Sequence, residues 1–120
     1  MKFSEMTYTR PDPAASKQRL SALTAELKAA KSYEEARKVF LSQQELMSHI
    51  STAATLASIR HSIDTRDEFY DGEEKFWNNF NPELEEYNQA WTAAMLESSF
   101  RADFEKEYGD LTVSYTHLTL

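Results

Sequence analysis

The chain has 120 residues, with 20 acidic side chains against 13 basic ones, no cysteine, two glycines and three prolines. A chain of this size holds one core burying roughly two thirds of its unfolded surface, and a composition 41% hydrophobic and 28% charged is globular rather than disordered. Disulfides and thiolate metal sites are excluded, nucleic acid is an unsuitable partner because its phosphates require clustered Lys and Arg, and no apolar run approaches the roughly 20 residues of a membrane span.

The opening MKFSEMTYTRPD carries no apolar leader segment, so a soluble, cytoplasmic protein is expected. Residues 1–11 read as an extended arm, because prolines disfavour helix in the residue before them. Asp12-Pro13 then starts a helix: a carboxylate acceptor at the N-cap, followed by a residue whose missing N–H is not needed at the first position. This helix is expected to run from Pro13 to about Ala30, with Leu20, Leu23 and Leu27 as its apolar stripe.

Ser32 and Glu35 form an S-x-x-E capping box, so a second helix begins almost at once and must lie antiparallel to the first. It is expected from Tyr33 to about Ile63. Its seam, Ala36, Phe40, Gln43, Met47, Ile50, Ala54, Ala57 and His61, advances in strict steps of four and three. The first helix can cover only half of it. The alanine-rich end, Ala53, Ala54 and Ala57, needs other cover, either from later helices or, the better candidate, from sequence beyond this chain.

Thr65 and Glu68 repeat the capping-box pattern and open a third helix to about Phe80, with Phe69, Glu73, Phe76, Trp77 and Phe80 on one stripe. Asn81-Pro82 reads as the start of a fourth, with Leu84, Tyr87, Trp91, Ala94 and Met95 inward. Ser98 or Ser99 starts a short fifth carrying Phe100, Phe104 and Tyr108, and Gly109 ends it. The expected fold is therefore all-α: an antiparallel bundle of four to five helices over residues 12–109, with one long helix. Residues 110–120, DLTVSYTHLTL, alternate like a strand without a partner, and are expected to be an irregular tail of non-native sequence that adds nothing to the fold.

The acidic excess is local. Asp64, Asp67, Glu68, Asp71, Glu73, Glu74, Glu83, Glu85 and Glu86 outnumber Arg66 and Lys75 by the full net charge of −7. Such a run reads first as a solvated face and second as a docking face for a basic surface. None of the three histidines, His49, His61 and His117, is followed by glutamate, so the zinc-peptidase pattern of two imidazoles four apart with a glutamate between them is missing. Asp67 to Gly72 resembles the start of a calcium loop but places Phe69 where an oxygen ligand is needed. No catalytic, cofactor-binding or metal-ligating residue is assigned within the chain.

The run from Ser51 to Trp77, STAATLASIRHSIDTRDEFYDGEEKFW, together with the opening MTYTRPD, resembles the N-terminal region of oligoendopeptidase F-like zinc metallopeptidases of the thimet-oligopeptidase type. The resemblance covers roughly residues 3–110. It implies a chain truncated before its catalytic domain: a helical segment that helps wall a channel for short peptides, with the zinc and its HExxH helix elsewhere in the polypeptide. On that reading Arg60, His61 and Asp64, where the second helix ends, are candidate residues for docking the missing catalytic domain of the same chain; read locally, they cap helix ends, Arg60 and His61 suiting the macrodipole at a C-terminus. The alternative is a free-standing acidic helical module that binds another protein.

Overall fold

A computed structural model describes residues 8–63 and 66–109. Among these residues the chain forms four helices and no strand: α1 (Pro13–Ala29), α2 (Tyr33–Ile63), α3 (Glu68–Glu97) and α4 (Arg101–Tyr108). They build an elongated bundle of 50 × 27 × 25 Å. Asp64, Thr65 and the tail 110–120 lie outside the described residues.

The first two helix starts form as the sequence dictates. Asp12 caps α1, its carboxylate accepting from the Ala15 N–H at 3.0 Å, with Pro13 in the first turn. At the α1–α2 connection the Ser32 hydroxyl accepts from the Glu35 N–H at 3.2 Å, while the Glu35 carboxylate reaches back to the Lys31 N–H at 2.9 Å. The reciprocal bonds of a capping box are thus present, shifted one residue on the return side.

Two corrections concern the middle of the chain. The cap of α3 is Asp67, whose carboxylate accepts from the Phe69 N–H at 2.9 Å. More importantly, the expected third and fourth helices are one continuous helix of 30 residues with Pro82 inside it, so the bundle has two long helices rather than one. Proline in a helix interior removes one hydrogen bond and costs about 3 kcal/mol. Here Pro82 lies on the exposed side, while Trp77, Phe80 and Leu84 on either side of it are at most 5% exposed. Burying each such side chain contributes about 1.5–3 kcal/mol, so continuity of the apolar stripe outweighs the local break. Replacing Pro82 by alanine should therefore raise stability by about 1–2 kcal/mol in denaturant melts, recovering part of that cost. A loss would show that the proline shapes α3 to fit its neighbours.

The core has two centres. At one end Leu23 and Leu27 of α1, Ala36 and Phe40 of α2, Trp91, Ala94 and Met95 of α3 and Phe104 of α4 pack together. At the other, Leu20, Ile50, Ala53, Ala57, Trp77, Phe80 and Leu84 do so. These groupings set the directions: α2 runs antiparallel to both α1 and α3, and α1 runs beside α3 in the same sense. The ion pair Lys17–Glu83, at 2.7 Å, agrees with that. The alanine-rich end of α2 is thus covered from within the chain. Ala53 and Ala57 are 9% and 3% exposed because the large rings of Trp77 and Phe80 fill the space their methyl groups leave. Phe69, expected inside, is 56% exposed.

Candidate functional site

Two clusters of polar side chains gather around the first turns of α3. The first joins Tyr8 and Arg10, ahead of α1, to the bundle. Glu73 is only 2% exposed, which a carboxylate tolerates only when fully hydrogen-bonded. It accepts from the Tyr8 hydroxyl at 2.6 Å and from Arg10 Nε at 2.9 Å, and its second oxygen takes the terminal guanidinium nitrogen of the same arginine. This bidentate fork is the geometry that distinguishes arginine from lysine. Trp77 Nε1 donates to the Tyr8 oxygen at 3.2 Å, closing the network. The Arg10 guanidinium also lies 4.4 Å from the centre of the Phe76 ring, and Tyr8 meets Phe69 edge-on at 6.2 Å.

The electrostatics follow. The Arg10 hydrogen bonds hold the Glu73 carboxyl below its usual value, burial opposing and the Tyr8 hydroxyl assisting. Burial, with the adjacent Glu73, pushes the Tyr8 phenol up to about 12. Tyr8 therefore stays a neutral donor and Glu73 an ionised acceptor across the ordinary pH range.

The second cluster lies where α2 ends and α3 begins. His61 Nε2 meets Glu74 Oε2 at 2.6 Å, and Arg60 Nη1 donates to the Tyr70 hydroxyl at 3.0 Å. His61 Nδ1 is buried with no hydrogen-bond partner among the described residues. The expected docking residues Arg60 and His61 are thus brought together, each reaching from α2 to α3; Asp64 lies outside the described residues.

Sequence reasoning did not pair His61 with α3. Asp71 and Glu74, three apart on one face, bring ligand atoms within 4.8 Å of one another and of the imidazole. The two-histidine zinc centre of a HExxH peptidase does not fit this trio. It offers one imidazole where that centre uses two, Asp71 is also paired with Lys75 at 3.5 Å, and the orphaned Nδ1 lacks the supporting acceptor that ligating histidines normally have. Among the described residues of the acidic run Glu73 alone is buried and Asp67 half-buried, the others being exposed as on a solvated face. Asp67 caps a helix, and Asp71, Glu73, Glu74 and Glu83 pair with Lys75, Arg10, His61 and Lys17.

The family model described as the peptidase M3 N-terminal domain matches residues 3–120. A solved structure assigned as an oligoendopeptidase F superposes with a TM-score of 0.87 and 35% identity, covering 91% of this chain and 19% of that one. A second so assigned, from Bacillus anthracis, gives 0.87 and 33% over 91% of this chain and 20% of the other. A third, PZ peptidase A with an inhibitor, gives 0.86 and 31% over 90% and 19%. The chain therefore spans about a fifth of the length of the solved chains it matches. No curated protein matches it in sequence.

Proposed function

The chain belongs to the peptidase M3 N-terminal domain family, and from that premise we propose that it serves as the N-terminal helical domain of a longer oligoendopeptidase F-like polypeptide that hydrolyses short peptides. The observation that carries this reading is the match of about nine tenths of this chain, at 31–35% identity, to about one fifth of each solved chain. The zinc, a Lewis acid that activates water for peptide hydrolysis, would be held by residues outside these 120. The residues present supply shape: a wall of bundled helices, with Glu73 fastening Tyr8 and Arg10, ahead of α1, to it.

A cytoplasmic setting suits a chain without cysteine, and none of the described helices is long and apolar enough to cross a membrane. Docking of the catalytic part at Arg60, His61 and Asp64 belongs to the same proposal. Its support is apolar surface on either side of that junction, where Ile63 is 76% and Phe69 56% exposed.

The test is the source DNA. The reading frame is expected to run several hundred codons past this domain and to encode an HExxH helix. A frame that closes soon after residue 120 without one would contradict the proposal and favour a free-standing module.

A further inference from the structure

A groove of about 590 Å³ runs between α2 and α3, and no described residue of α1 lines it. Its floor is apolar: Met47, Ile50 and Ala54 from α2, Leu84 and Trp91 from α3. Its rim carries amides, Gln44 on one side and Asn81, Asn88 and Gln89 on the other, and the buried Gln43 brings a further amide to the floor. Of the fourteen described residues that line it, one, Glu85, is charged, in a chain 28% charged.

That depletion decides between a solvent face and a covered one. Water-facing helix surfaces are where a soluble chain places its Lys, Glu, Asp and Arg, and this chain does so elsewhere. Uncharged amides around an apolar strip suit a surface that will be buried, since each amide can both donate and accept without a desolvated charge. The centre of a protein interface shows the same loss of charge.

The shape selects the occupant. From Gln43 to Ala54 the groove follows α2 for about 16 Å at 1.5 Å per residue, three turns of a helix seated between two antiparallel neighbours, which is how a bundle acquires another member. The chain path agrees: the last described helix ends beside α2, with the Tyr108 ring 4.8 Å from that of Phe40, about a turn before the groove begins at Gln43.

We infer that the α2–α3 groove is the seat of a weakly charged amphipathic helix from the later part of the same polypeptide, joining this domain to the rest of the molecule. This rests on the longer polypeptide proposed above, in which about four fifths of the chain lies outside this domain.

Cysteine placed at Ser48 or Gln89, both exposed in the open groove, reports cover directly. The S48C and Q89C forms of the longer polypeptide are treated with a maleimide, and labelling at each site is followed by peptide mass spectrometry. Each site is expected to react at least tenfold more slowly in the folded protein than in the same protein unfolded in urea. Rates within about twofold of the unfolded ones, in protein that still cleaves peptides with chelator sensitivity, would overturn the groove inference while leaving the peptidase reading intact. Protection that vanishes on dilution, with a dimer-to-monomer change in sedimentation, would assign the groove to a second copy and also overturn it. A source reading frame without the zinc helix would instead refute the peptidase reading, and undiminished protection in that shorter protein would refute the later-chain occupant.

Discussion

Replacing Phe40 by alanine should cost the fold about 3–5 kcal/mol, the range for emptying a large ring from a closed core. Phe40 is 8% exposed and sits where all four helices meet. Its ring lies 5.3 Å from that of Phe104 and 4.8 Å from that of Tyr108, and it shares a cluster with Leu23 and Leu27 of α1. No neighbour can refill that space without moving α4. The adjacent Leu41 is 43% exposed, so its alanine variant should stay within about 0.5 kcal/mol of the parent. Denaturant melts of both would check the seam. A loss below about 1 kcal/mol for F40A would mean that the seam faces water.

The second large effect is expected at Glu73. Removing its carboxylate leaves the Tyr8 hydroxyl and one face of the Arg10 guanidinium without their acceptor. A hydrogen bond to a charged group contributes about 1.5–3 kcal/mol, and breaking a buried pair from one side can cost 3–5. Because the Arg10 side chain is 49% exposed and can rehydrate, about 2–3 kcal/mol is the expected loss for E73A. The pH dependence carries a sign. The folded carboxyl titrates below its ordinary value of 4.5, so its contribution is fully present above that value and is lost as pH falls through the folded one. The parent should therefore lose stability below about pH 4.5 with a component that E73Q lacks. Identical acid limbs for parent and E73Q would show that the arm is not held by this charge.

The parts of the fold that sequence made legible are those with local causes. Asp12-Pro13 and Ser32-x-x-Glu35 place the ends of α1 and α2 because capping bonds span three or four residues. The four-three seam of α2 is a property of one helix read along itself. Pro82 was misleading for the same reason: a local rule marks it as a helix start, whereas Trp77, Phe80 and Leu84 keep α3 continuous by packing on α1 and α2, which no local rule sees.

The arm lock was only half legible. The helical register puts Glu73, alone of the acids, on the stripe of Trp77 and Phe80, but its partners Tyr8 and Arg10 lie 65 and 63 positions away, beyond the reach of any local rule. The contact joins the two separated stretches that carry the resemblance. MTYTRPD and DEFYDGE supply opposite sides of one network, Tyr8 and Arg10 from the first, Phe69, Tyr70 and Glu73 from the second. His61, Asp71 and Glu74 were likewise read apart, because they lie on two helices, α2 and α3, and meet only when those helices pack.

The central claim, that this bundle serves a peptidase whose chemistry lies elsewhere in the polypeptide, is tested most directly by cleavage of a quenched fluorogenic peptide. The purified 120-residue chain and the longer polypeptide are compared, each with zinc and with a chelator. The longer protein is expected to release fluorescence and to lose that activity to the chelator, while the 120-residue chain releases none under any condition. Chelator-sensitive cleavage by the 120-residue chain itself would contradict the account.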